Sequence, residues 1–125
     1  MKAEKELIYS VLSQLYPTYE REAPDDIPAN YLVYHLDEIQ QYHERNDYSL
    51  VVNCITKVTE VDEPEDLDVM VKAVKDAFYF KSFNDNGYTY TFYFDSASEV
   101  EEKDRSLKRY DVRFTVTGYE GDLVI

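Results

Sequence analysis

Apolar and polar residues alternate one for one in two stretches of this chain, 87–95 and 109–118. In the first, Tyr88, Tyr90, Phe92 and Phe94 share one parity, while Thr89, Thr91, Tyr93 and Asp95 share the other. In the second, Tyr110, Val112, Phe114 and Val116 alternate with Asp111, Arg113, Thr115 and Thr117. Successive side chains of a strand point to opposite faces, so both stretches predict half-buried strands with one aromatic, core-facing side.

The rest of the pattern adds two helices and two more strands. Leu7, Ile8, Val11, Leu12 and Leu15 form one apolar stripe at helical spacing, which predicts a helix over 3–15 that Pro17 stops. Residues 16–28 hold three prolines and the Asp25–Asp26 pair, without periodicity, and predict an extended connection. A short strand over 30–36 follows Pro28, where a proline does least harm to a ladder. The polar stretch 37–47 predicts an exposed loop or hairpin tip. In 48–58, Leu50, Val52, Cys54 and Val58 take one face and Ser49, Asn53 and Lys57 the other; Val51 and Ile55 imply some cover on that second face.

Asp62 as N-cap and Pro64 in the first turn open a second helix, with Leu67, Met70, Val71, Val74 and Phe78 at helical spacing as far as Phe80. Asn84 to Gly87 predicts a turn, and the acidic segment 97–106 a loop between the aromatic strands. The expected fold class is α+β: an antiparallel four-stranded sheet with two helices on one face, in the order α-β-β-α-β-β, as a single domain over 1–125.

Charge narrows the partners. Against 13 basic residues stand 26 acidic ones, a net charge of -13. Such a chain is repelled by free nucleic acid and by anionic membranes, and its densest basic run, Arg105 to Arg109, is short. Proteins are therefore the expected partners, with no membrane and no direct nucleic-acid contact. One cysteine permits no intramolecular disulfide, which fits a reducing compartment. The first residues carry Glu4 and Glu6 where a signal peptide needs an apolar core, and no apolar run approaches the ~20 residues of a membrane helix. A soluble protein made in the cytoplasm is expected.

Candidate chemistry is sparse. Asn84 to Gly87 lacks the alternating ligands and closing glutamate of a calcium loop, and a turn explains it. Cys54 lies on the apolar parity of its strand, as a buried, inert thiol would. His35 and His43 belong to no recognisable nucleophile–base pair. Three glycines form no phosphate cradle, and 26 acidic residues supply carboxylate pairs everywhere, so a pair carries no information. No catalytic residue, cofactor or metal is expected. Three tyrosines stand apart from the core pattern: Tyr42 in the polar loop, Tyr93 on the outer parity and Tyr119 near the end. Tyrosine is enriched at protein interfaces.

The order of elements is informative as a whole. An amphipathic helix leads to a proline-flanked strand, Ile27 to Leu36. A second strand ends at Thr56-Lys-Val58, a helix covers Leu67 to Phe80, and the last strand holds Arg109-Tyr-Asp-Val-Arg-Phe114. Over nearly its whole length the chain resembles the small tail-terminator or tail-completion proteins of long-tailed bacteriophages, minor structural components that join head and tail. The resemblance implies a homo-oligomeric ring, usually a hexamer, that stops tail-tube growth and docks to the head connector, within the virion. Its implied partners are other copies of itself, the tail tube protein and the head-connector protein.

On this reading the expected interface residues are Gln40, Gln41, Tyr42, Arg45, Tyr93, Glu99, Glu101, Glu102, Tyr119, Leu123, Val124 and Ile125, with acidic side chains facing the ring lumen. One alternative is an acidic DNA mimic that inhibits a basic host protein, as anti-restriction proteins do. Another is a small-molecule binder with an aromatic pocket from Tyr88, Tyr90, Phe92 and Phe94, against which stands the use of those rings as core.

Overall fold

A computed structural model describes residues 2–23, 30–42, 45–57, 67–79, 81–85, 87–102 and 106–120. Along the chain run α1 (Lys2–Leu12), β1 (Thr18–Glu20), β2 (Asn30–Gln41), β3 (Arg45–Lys57), α2 (Leu67–Phe78), β4 (Ser82–Asp85), β5 (Tyr88–Val100) and β6 (Leu107–Glu120). Among the described residues the strands form one six-stranded sheet in the order β1-β2-β3-β6-β5-β4. β1 is parallel to β2, and every other pair is antiparallel.

The sheet thus corrects the expected antiparallel four-stranded one. It is mixed and six-stranded, and the order is α-β-β-β-α-β-β-β. Both missed strands are short edge pieces: β1 depends on a partner further along the chain, β4 on the adjacent strand across a tight turn. β1 follows Pro17 and exists because Thr18–Glu20 lies against Leu32–Tyr34. It ends at Arg21, whose φ of 63° turns the chain off the sheet. β4 occupies residues expected as a frayed helix end and a turn. It pairs with Tyr88–Thr91 across the turn at Gly87, whose φ is 82°.

The two main hairpins are longer than their apolar patterns. β2 and β3 run on to Gln41 and Arg45, and β5 and β6 to Val100 and Leu107. A bulge accompanies each extension. Ile39 is the extra residue between Glu38–Tyr48 and Gln40–Asp47, and Asp95 the extra residue between Phe94–Phe114 and Ser96–Arg113. Each added residue reverses the parity beyond it. Alternation counted from Tyr88 therefore fails past Asp95, and Ala97, opposite Val112, packs on the core instead of lying in a loop.

Both helices lie on one face of the sheet. Ile8 and Leu12 from α1 join Met70, Val74 and Phe78 from α2 over Leu32, Tyr34, Leu36, Leu50, Val52, Cys54, Tyr90, Phe92, Val112, Phe114 and Val116. Phe78 is the central ring, with centroids 4.6 Å from Phe92 and 5.5 Å from Phe114. Each such fully buried side chain contributes about 1.5–3 kcal/mol. α1 stops at Leu12, whose carbonyl accepts the amides of Leu15 and Tyr16, so the expected helical Leu15 sits in a turn, partly exposed. Tyr88, expected in the core, is at the strand end and 39% exposed. Cys54 is fully buried, and burial pushes its thiol up to about 12. The N-cap expected at Asp62 with Pro64, and Val58, lie outside the described residues.

A carboxylate fixes α1 to the sheet. The hydroxyls of Tyr48 and Tyr90 both donate to Glu4 Oε1, at 3.0 and 3.2 Å. Burial and the nearby carboxylate push Tyr48 up to about 12 and raise Tyr90 as well. Burial acts to raise Glu4, yet hydrogen bonds to its backbone and the two phenols leave it below the usual carboxylate value. Gly118 makes room for this arrangement, since a Cβ there would stand 2.8 Å from Tyr90 Cε1.

On the opposite face a second carboxylate is held between strands. Asp111, 3% exposed, accepts Arg109 Nε at 2.8 Å, an Arg109 terminal nitrogen at 3.0 Å and Asn53 Nδ2 at 2.7 Å. Arg109 also reaches Glu102 at 3.1 Å. Because the Asn53 amide donates to Asp111, its oxygen accepts, so His35 donates from Nε2 across 3.1 Å. Burial pushes Asp111 up, but Arg109 and Asn53 outweigh it and hold the carboxyl below the usual range.

Two consequences are measurable by denaturant unfolding. Gly118→Ala should cost about 1–3 kcal/mol, because the Tyr90 ring is tethered and cannot swing away. Combining it with Tyr90→Leu should cost less than the sum of the two single changes; strict additivity would show that the close approach is not the cause. Asp111→Asn should cost about 2–4 kcal/mol at pH 7 by leaving Arg109 without its main partner. The folded carboxyl titrates below its unfolded value of about 3.9, so its stabilisation is complete above that value and fades as pH falls through the lower, folded one. The gap between wild type and Asp111→Asn should therefore close in strong acid.

Candidate interaction face

The parity that buries the core leaves a second face with no helix over it among the described residues, although Tyr31, Val33, Asn53, Thr89, Asp111 and Thr117 on it are buried. Its strand positions are Tyr31, Val33, His35 and Asp37 on β2, Arg45 to Lys57 at odd numbers on β3, and Leu107 to Tyr119 at odd numbers on β6. Thr89, Thr91 and Tyr93, then Ser96, Ser98 and Val100 past the bulge, come from β5. Charges there nearly balance: Arg45, Lys57, Arg109 and Arg113 against Asp37, Asp47 and Asp111. Hydroxyls fill much of the remainder, among them Ser49, Thr91, Thr115, Thr117, Ser96 and Ser98. At the sides, Asp95 accepts the Thr115 hydroxyl at 2.8 Å and Glu102 pairs with Arg109.

At one end of this face the β2–β3 hairpin carries a cluster of the expected interface residues. The Arg45 guanidinium sits 4.3 Å from the centre of the Tyr42 ring and 3.2 Å from Asp47. Arg45 is also the register partner of Tyr119, and hydrogen bonding to Tyr119 raises its pKa. Gln40 and Gln41 lie exposed on the same hairpin. Tyr93 stands further along the face, opposite Thr115 and 43% exposed.

The structure does not gather all the expected residues in one place. Glu99, Glu101 and Glu102 lie at the other end of the sheet. Glu99 is opposite Tyr110 on the helix-side parity, and Glu102 is committed to Arg109. Tyr119 belongs to β6 and is not part of a free tail. Leu123, Val124, Ile125 and His43 lie outside the described residues. Sequence reading passed over Arg113, whose side chain is 50% exposed, and Ile39, 58% exposed on its bulge. A lone isoleucine in the polar run 37–47 was the available signal for the second.

The strand edges are a different kind of surface. β1 covers β2 from Leu32 to Tyr34, and β4 covers β5 from Tyr88 to Thr91. Among the described residues no strand flanks the outer side of β2 from Leu36 to Gln41, or of β5 from Tyr93 to Val100. Each uncovered length carries its bulge and two carboxylates, Asp37 and Glu38 on one, Asp95 and Glu99 on the other. Bulges and charges on an edge oppose the addition of another strand.

Among the described residues, no three His, Cys, Asp or Glu side chains gather as metal ligands would, and no helix is long and apolar enough to cross a membrane. No protein-family model matches the chain, nor does any curated protein. Its fold is similar to that of a chain in the virion of a native gene transfer agent particle. The TM-score is 0.62 at 13% identity, and the likeness spans 90% of this chain and 84% of that one.

Proposed function

We propose that this chain is a structural subunit of a phage-like particle, a tail-terminator or tail-completion protein. It would form a ring at the head-proximal end of the tail tube and dock to the head connector, acting through protein contacts and not through catalysis. The observation that carries this reading is the likeness, over most of both chains, to a chain of a gene transfer agent virion. Three features of the molecule support it. Among the described residues no helix covers one face of the sheet, the exposed large side chains include Tyr42, Tyr93 and Tyr119, and a long hairpin reaches beyond the core. A single-chain subunit that repeats one heterologous contact closes into a ring when the rotation per copy divides a full turn.

Negative-stain microscopy and native mass spectrometry over a wide concentration range test this reading. Closed rings, six-membered in the simplest case, should accumulate as concentration rises or when tail tubes are supplied as a template. A monomer under all these conditions, or open filaments, would count against a terminator.

A further inference from the structure

We propose that the helix-free face is where one copy of this chain grips the next, against a different and more acidic surface of that neighbour. The inference rests on the ring proposed above and names the contact that would build it. Its starting point is the uneven placement of charge. The described residues carry 16 carboxylates against 11 lysines and arginines, yet the strand positions of this face hold four cations and three anions, with Asp95 and Glu102 at its sides. Among the described residues the carboxylate excess therefore lies on the other surfaces. Two copies of so acidic a protein repel wherever acidic surfaces meet, and repel least where this face is one of the two.

The side chains of the face suit the task. Tyr93 and Tyr119 are exposed, and Arg113 lies 3.6 Å from a Asp111 carboxylate that Arg109 and Asn53 already satisfy. Arg113 can thus reach an outside carboxylate without leaving a buried charge alone. Tyrosine and arginine are the residues that dominate binding energy at protein interfaces. The bulged, charged edges remove strand addition as the competing route. A face meeting an unlike surface is a heterologous contact, the kind that a ring requires.

The test measures assembly by sedimentation velocity for wild type, Tyr93→Glu, Tyr93→Arg, Arg113→Glu and Val69→Glu. Val69 is 52% exposed on α2, away from the face. Thermal melts confirm that each variant is folded. Tyr93→Glu and Arg113→Glu should raise the half-assembly concentration about tenfold or more, and Val69→Glu should leave it nearly unchanged. Tyr93→Arg should be clearly milder than Tyr93→Glu, a difference of sign that a loss of packing alone would not give. Equal weakening by Glu and Arg at position 93, or weakening by Val69→Glu with none from the Tyr93 and Arg113 changes, would overturn the assigned contact while leaving the ring reading standing. A wild type that never assembles, even on tail tubes, would sink both.

Discussion

The antiparallel pairing of β3 with β6 is the constraint on which the rest of the molecule depends. It runs from Arg45 opposite Tyr119 to Lys57 opposite Leu107 and joins two hairpins that are otherwise separate in sequence. Register fixes both faces at once. Leu50 opposite Phe114, Val52 opposite Val112 and Cys54 opposite Tyr110 form the floor beneath the helices. The intervening pairs, Asn53 with Asp111 and Val51 with Arg113, form the helix-free side. A slip of one residue would turn every apolar side chain outward and strand Asp111 beneath the helices. Core burial and the Arg109–Asp111–Asn53 network therefore specify the same register from opposite sides.

The bulges at Ile39 and Asp95 follow from the length of these hairpins. Strands of this length extend past what β1 and β4 can cover, and an uncovered straight edge invites pairing with any other chain. An inserted residue interrupts the regular ladder and allows acidic groups to occupy the rim. The same insertions keep the hairpins useful, since beyond Asp95 the parity change returns Ala97 to the core, and beyond Ile39 it places Gln40 opposite Asp47 on the helix-free side.

Much of the core was legible in the sequence, because period-2 and helical spacing report which side of an element is buried. Tyr90, Phe92, Val112, Phe114 and Val116, with Met70, Val74 and Phe78, are buried as their spacing requires. Gly118→Ala illustrates a different class of constraint: the need for glycine there comes from Tyr90 on a neighbouring strand, which no local pattern reveals. β1 and β4 are illegible because three or four residues carry no periodicity; β1 also owes its form to a partner elsewhere, whereas β4 pairs across the turn at Gly87. The strand extensions were hidden by the bulges, which break the alternation that sequence reading relies on. For the face, exposure at Tyr42, Tyr93 and Tyr119 followed from parity and loop position, while the closeness of Tyr42, Arg45 and Tyr119 depends on register and could not be read.

Charge distribution bears on function more than charge total does. A carboxylate-rich chain can imitate a phosphate backbone if its acids form an uninterrupted stripe, and it can build an assembly if it keeps one surface free of them. On the helix-free face arginines and a lysine separate the aspartates, and Asp111 is sealed under Arg109, so its charge is spent inside the protein. That arrangement gives up any phosphate-like spacing there and favours the second use. It also sets a condition on assembly. In the proposed ring, repulsion between acidic surfaces would disfavour orientations that do not use this face.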